Sequence, residues 1–286
     1  MRGHVTGLRG SVVALAGASH PVPSAAVTAF SVAVSAALGR SAPGVVLTGL
    51  AVLAGQLSIG WSNDLLDRGR DQVAQRSDKP LAAGRVSTRT VASACATAAV
   101  ACVPLSFANG ATAAAVHLLA VAGGWAYNLG LKRTWASPLP YATSFALLTA
   151  FLTLGLPGAP WPQPWALAAG ALLGVGAHFL NVVPDVEDDL RAGVRGLPQR
   201  LGARAAAVTG AVLLAGACAL VVRGPDGATP GWAWAGLAAA LVCAAGAAAS
   251  GARSGPTTPG RAPFLLAVAT AAIAVLMIVA RGGTLT

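Results

Sequence analysis

Apolar runs alternate with short polar clusters along the whole chain. Cutting at the Gly/Pro-rich, polar and charged stretches leaves nine runs, over 22–39, 42–64, 87–107, 110–128, 137–155, 164–183, 202–222, 230–250 and 261–280. Each is close to the roughly 20 residues that carry an α-helix across the hydrocarbon core of a bilayer. The pattern predicts an all-α, multi-spanning membrane helix bundle with nine transmembrane helices, forming one domain over residues 1–286. Ala and Gly dominate the runs, which suits helices that approach one another closely.

Composition agrees with this pattern. A mean hydropathy of +0.68, with 55% hydrophobic and 10% charged residues, is too apolar for a water-soluble chain and leaves no polar segment long enough for a second domain. The net charge of +10 would suit a nucleic-acid binder, but the basic residues sit between apolar runs rather than on a water-facing surface, so no nucleic-acid partner is expected and the lipid bilayer is. Nine spans place 16 of the 19 Lys and Arg residues on one side, leaving only Arg40, Arg223 and Arg281 opposite. By the positive-inside rule the basic side is cytoplasmic. Arg2 and Arg9 ahead of the stretch 11–18 imitate a secretory signal, but a second apolar run begins at Pro21, so the segment is expected to belong to the fold. Cys95, Cys102, Cys218 and Cys243 stand singly inside apolar runs, without metal-ligand spacing, and are expected to fill space.

The acids are harder to explain. All but Asp226 fall on the basic side, all of these but Asp78 in two clusters, and the positive-inside rule does not require that. The first cluster ends the second run with Asn63, Asp64, Asp67 and Asp71; the second ends the sixth run with Asn181, Asp185 and Asp189, with Glu187 and Asp188 between. Both read N-x3-D-x3-D, 118 residues apart. Spacings of three and four put side chains on one face of a helix, so all four members of the first cluster are expected to share a face, and the two helix ends to face one cavity. A charged side chain at the centre of a membrane helix costs about 2.5–3.5 kcal/mol on insertion scales, and clustered like charges repel, so a cation is needed. Carboxylates and amide oxygens are hard ligands that favour Mg²⁺ or Ca²⁺, and Mg²⁺ fills its shell with phosphate oxygens and water. Diphosphate is the implied guest, with Arg68, Arg70, Arg76, Lys79, Lys132, Arg191 and Arg195 available to balance it.

At these residues the chain resembles the UbiA superfamily of intramembrane prenyltransferases. Asn63, Asp64, Asp67 and Asp71 match its N-D-x-x-D-x-x-x-D motif, and Asp185 and Asp189 its D-x-x-x-D motif. The stretch from Arg76 through Lys79 and Pro80 to Gly84 is similar to its R-x-x-R-P-L-x-x-G segment, with Lys79 in place of Arg. Tyr127 through Lys132 and Arg133 resembles Y-x-x-x-L-K-R, and residues 193–198 resemble G-x-R-T-L-P with Gly196 in place of Thr.

The resemblance implies a fold of nine helices and a transferase that uses two Mg²⁺ ions, one on each Asp motif. It makes Asn63, Asp64, Asp67, Asp71, Asp185 and Asp189 metal ligands. Arg76, Lys79, Lys132, Arg195, Asn63 and Tyr127 would contact the diphosphate of an isoprenoid donor, and a small hydrophobic or aromatic acceptor would capture the prenyl cation. A cyclase of the same superfamily, or a metal-gated transporter, are the alternatives. Lys79 offers a point charge where Arg offers a fork. Pro184 is expected to break the sixth helix at the second motif. Trp61, Tyr127, Tyr141 and Phe179 are candidate cation-shielding rings, His178 is expected to be a satisfied interior histidine, Asp78 to orient a loop lysine, and Trp161, Trp165, Trp232 and Trp234 to form an interfacial belt.

Overall fold

The computed structural model describes residues 8–253 and 261–286, so Arg2 and the segment 254–260 lie outside the described residues. Among the described residues every regular element is a helix: α1 (Leu8–Gly17), α2 (Pro21–Ala37), α3 (Ala42–Val73), α4 (Thr88–Phe107), α5 (Ala111–Leu129), α6 (Pro138–Leu154), α7 (Pro164–Val182), α8 (Val186–Arg191), α9 (Leu197–Leu201), α10 (Ala203–Arg223), α11 (Gly231–Arg253) and α12 (Arg261–Ala280), with short 3₁₀ turns between some of them. Proline opens α2, α3, α6 and α7 within their first two positions, where its missing N–H is not needed.

Each of the nine expected runs is a helix, but nine full spans are not confirmed. Six described helices are long and apolar enough to cross a membrane, and seven if α1 and α2, bent by 70° at residues 18–20, count as one broken span. The shortfall has a local cause. α6 has 17 residues, one short of that length, and α5 carries His117, Trp125, Tyr127 and Asn128 among its apolar residues.

In the other direction, α3 runs 32 residues, well past the expected end at 64. At 1.5 Å per residue it is about 48 Å long, more than the ~30 Å of hydrocarbon. The helix that carries the first acidic cluster is therefore longer than the apolar layer is thick.

Packing contacts join α2 to α3, α3 to α5, α5 to α6, α6 to α7, and α12 to both α7 and α2, which closes a ring. α4 packs outside this ring on α3 and α5, and α11 packs outside on α10 and α12. The main apolar core holds Phe151, Leu152, Leu214 and Val221 in full burial. A second cluster seats Ala14, Ala18, Trp61 and Leu81 together, tying α1 to the basic end of α3. Cys95, Cys102 and Cys218 are buried and unbridged, as space-filling residues should be. Trp161, Trp232 and Trp234 are exposed, whereas Trp165 packs against the core instead of joining the belt.

Candidate active site

The ring of helices encloses a cavity of about 440 Å³. Its mouth carries Asn63, Asp67 and Asp71 from α3 and Asn181, Asp185 and Asp189 from the α7–α8 region; deeper down its walls are apolar, with Val27, Phe30, Val52 and Leu148. The two repeated motifs thus line one chamber. Arg70, Arg76, Lys79, Lys132 and Tyr127 line it as well.

The first motif sits within unbroken helix and is buried, Asp64, Asp67 and Asp71 being 2%, 3% and 4% exposed. Lys132 reaches Asp67 at 2.6 and 2.7 Å. This pair is itself buried, and burial pulls the Lys132 ammonium below the ordinary lysine range while Asp67 opposes the shift. Arg70 bridges Asp67 at 3.0 Å and Asp71 at 3.4 Å. Asn63 donates to Asn128, which in turn donates to the Ile59 carbonyl and Ser62 Oγ, so the α5 amide fixes the α3 amide.

Asp64 departs from expectation. It does not line the cavity, although on the helix it stands only about 20° around from Asp71, which does; Lys79 and His20 cover it. Its Oδ1 meets Lys79 Nζ at 2.9 Å and His20 Nε2 at 3.2 Å, while Oδ2 is buried without a partner. His20 stands at the α1–α2 bend with a left-handed φ of 54°. The bend can settle there because residue 60 is glycine: a Cβ at that position would run into the Ser19 carbonyl.

The second motif is broken as its proline predicts. Asn181 lies in the last turn of α7, residues Val183–Asp185 form a 3₁₀ turn around Pro184, and Asp189 lies in the six-residue α8. Asp185 is open, its side chain 45% exposed, and Arg76 reaches it at 3.3 Å, linking the two motifs. The same guanidinium is held by Asp78 through two 2.9 Å hydrogen bonds, so Asp78 orients Arg76 and not Lys79. That bidentate contact raises the Arg76 pKa and holds the Asp78 carboxyl below its usual range. Asp189 accepts from Gln199 Nε2 at 2.9 Å.

Arg195 is not brought to the chamber. It is exposed, and its carbonyl accepts a 2.7 Å hydrogen bond from Arg200 Nε, while its neighbours Val194 and Gln199 line the cavity. The departure at its neighbour Gly196 has a physical reason. A Cβ there would lie 2.6 Å from both the Lys132 carbonyl and Gln199 Oε1 and 2.8 Å from Ser137 Oγ, so only glycine lets this loop press against the Lys132 turn.

Of the candidate rings, Tyr127 and Tyr141 line the chamber edge to face at 5.2 Å, and Phe145 stacks on Tyr141 at 6.5 Å. Trp61 and Phe179 are buried in separate apolar clusters away from it. His178 is buried under Tyr141 with Nε2 on Ser137 and Nδ1 unpartnered, so it is only half satisfied.

Sequence reasoning missed His20, Asn128 and Gln199. Asn128 and Gln199 adjoin the matched segments at Tyr127 and Pro198 and were findable by adjacency; His20 lies 44 residues from its partner and leaves no local signal.

Among the described residues no three His, Cys, Asp or Glu side chains converge on one point. The oxygen donors instead face each other across the chamber, an arrangement that fits Mg²⁺ ions sharing their shells with substrate oxygens and water rather than a closed protein cage.

Comparison with known proteins is consistent with this geometry. The model of the UbiA prenyltransferase family matches residues 24–269. Bacteriochlorophyll synthase 33 kDa chain of Cereibacter sphaeroides is 30% identical over 188 residues, 62% of each chain; that of Rhodobacter capsulatus is 29% identical over 198 residues, 63% of this chain and 62% of that one. The matched stretch therefore spans under two thirds of these relatives' length. Among solved structures, a UbiA homolog from Archaeoglobus fulgidus bound to GPP and Mg²⁺ superposes with a TM-score of 0.70 at 19% identity, covering 94% of this chain and 98% of that one. The apo structure of a UbiA homolog from Aeropyrum pernix K1 gives a TM-score of 0.64 at 20% identity, covering 88% and 95%. At such identities the structures speak for the fold, and the family match over most of the length speaks for descent: the chain belongs to the UbiA prenyltransferase family.

Proposed function

We propose that this protein is a Mg²⁺-dependent intramembrane prenyltransferase that ionises an isoprenoid diphosphate and passes the prenyl group to a small acceptor, aromatic or otherwise hydrophobic. One observation carries the proposal. All six members of the two N-x3-D-x3-D motifs line a single chamber that is charged at its mouth and apolar within, the shape of a ligand with a polyanionic head and a hydrocarbon tail.

Asn63, Asp67 and Asp71 on one wall, and Asp185 and Asp189 on the other, would hold the two metal ions. Bound there, Mg²⁺ supplies Lewis-acid stabilisation of charge on the departing diphosphate. Lys132, Arg70 and Arg76 stand ready to turn from their carboxylates toward the anion, and Lys79 adds a point charge at the rim. Arg195 and Asp64, being outside the lining, act at most through their neighbours. As the allylic C–O bond breaks, Tyr127, Tyr141 and Phe145 present ring faces and edges to the cation and exclude water from it. The acceptor then forms the new C–C or C–heteroatom bond and loses a proton. The basic loops share the mouth's end of the bundle, which supports a chamber opening to the cytoplasm.

The test is incubation of the purified protein in lipid with C10 to C20 prenyl diphosphates, with and without Mg²⁺, against aromatic and lipid acceptors. Acceptor-dependent, Mg²⁺-dependent diphosphate release is expected. A cyclic hydrocarbon formed without acceptor would move the assignment to a cyclase, and no diphosphate release under any condition would favour transport.

A further inference from the structure

We propose that Gln56 and His117 form a subsite, deep in the apolar part of the chamber, that recognises a hydroxyl group on the acceptor. The proposal rests on the prenyltransferase reading and adds to it what the acceptor must carry.

The cavity-facing stripe of α3 reads, from the mouth inward, Asp71, Asp67, Asn63, Gly60, Gln56 and Val52. Gln56 interrupts the change from polar to apolar. By helical rise it lies about 10 Å deeper than Asn63, among Phe30, Val121 and Leu148, half-buried and with no hydrogen-bond partner for its amide among the described residues.

His117 lines the chamber from α5 on the neighbouring wall, and its tautomer follows from its contacts. Ser106 Oγ donates its one proton to the Cys102 carbonyl at 2.6 Å. The 2.7 Å contact between Ser106 Oγ and His117 Nδ1 must then be donated by the imidazole. Nε2 is left as a bare acceptor. Phe151 stacks on the ring at 4.3 Å and fixes its plane. Nε2 also points to the α3 side, since a Cβ at Gly55, the residue before Gln56, would lie 3.6 Å from it.

An amide donor and an imidazole acceptor on adjoining apolar walls match a hydroxyl, which accepts from one and donates to the other. A methyl ether serves only the donor, and a hydrocarbon serves neither and strips both of water. The isoprenoid tail has no polar atom, so it is not the group read here. The acceptor is: its reacting atom must meet the donor's first carbon near the mouth, so it shares the chamber with the donor's tail and extends inward beside it.

The experiment measures equilibrium binding of two hydroxyl probes, a para-alkylphenol and a long-chain primary alcohol, each against its own methyl ether. The protein is purified wild type, Gln56→Leu and His117→Phe in lipid nanodiscs, with prenyl diphosphate binding measured alongside. In the wild type at least one hydroxyl probe is expected to bind about tenfold tighter than its ether, the equivalent of one net hydrogen bond. Either substitution should erase that preference and leave donor binding intact. Wild type that fails to prefer the hydroxyl in both pairs overturns the subsite without needing either variant, as does a preference that survives both substitutions. Absence of prenyl diphosphate binding is a separate result that counts against the prenyltransferase reading itself.

Discussion

The two acidic motifs share a sequence pattern but not a structure. In the first, Asn63, Asp67 and Asp71 ride one continuous helix, and the two acids are nearly sealed from solvent, Lys132 and Arg70 serving Asp67 and Arg70 serving Asp71. In the second, the same spacing is spread over the end of α7, a 3₁₀ turn and a six-residue helix, and Asp185 is half open with Arg76 as its cation. Burial makes the difference consequential. A carboxylate held by a buried lysine is part of what keeps the bundle together, whereas one on an exposed break with a single arginine contact is more loosely held.

Substitution of the acids breaks this comparison most directly. Asp67→Ala and Asp185→Ala should each reduce turnover by about a thousandfold or more, as loss of a principal electrostatic stabiliser does. Their stabilities should part company. Asp67→Ala strands the Lys132 ammonium in a buried place and should destabilise the protein by about 3–5 kcal/mol, while Asp185→Ala should melt close to wild type. Thermal unfolding in nanodiscs checks this, and equal melting of the two variants would contradict the contrast.

Pro184→Ala comes next. Restoring an N–H and removing the ring lets α7 continue as α-helix, which re-aims Asp185 and makes the second motif a copy of the first. Catalytic efficiency should fall by about ten- to a hundredfold, chiefly through KM for the donor, as 1 Å misplacements do, with stability unchanged or raised. Full activity in this variant would mean that the break has no part in the chemistry.

The link between the motifs is probed by Gly196→Thr. The added Cβ collides with the Lys132 backbone and Gln199, so the turn carrying Lys132 must withdraw. A loss of about tenfold in kcat/KM is expected, with a smaller loss in a Gly196→Ala control.

The smallest effect belongs to Asp78. Its carboxyl titrates below the usual range because Arg76 holds it. A depressed pKa contributes stability above the unfolded value, lost as pH falls through the folded one. Asp78→Asn should therefore matter at neutral pH, by less than about threefold in kcat/KM at this exposed position, and converge on wild type as the pH falls below the lowered value.

Much of this was legible in the primary structure. Apolar run length located the nine principal helices, because a lipid-embedded backbone must satisfy its own hydrogen bonds, and the repeated four-residue spacing located both motifs. Pro184 announced its break. What escaped were the directions of side chains at the edge of a pattern and in loops. Asp64 belongs to the matched motif, yet His20 and Lys79, brought over it from distant positions in the sequence, take its carboxylate. Arg195 also sits in a matched segment, yet its side chain is exposed while its carbonyl accepts from the Arg200 side chain. Nine full spans are not confirmed by helix length and composition, because α5 trades apolar residues for polar ones, His117, Tyr127 and Asn128 among them, that line the chamber.

Lys132, Arg70, Arg76 and Lys79 lie on Asp67, Asp71, Asp185 and Asp64 within the chain itself. The protein thus carries its own counter-ions for these four acids, while Asp189 has Gln199. Insertion into the bilayer then does not wait for a metal to neutralise the acids, and maturation and loading become separable events. Under the magnesium-dependent reading proposed above, a magnesium-starved cell would accumulate an assembled but silent protein.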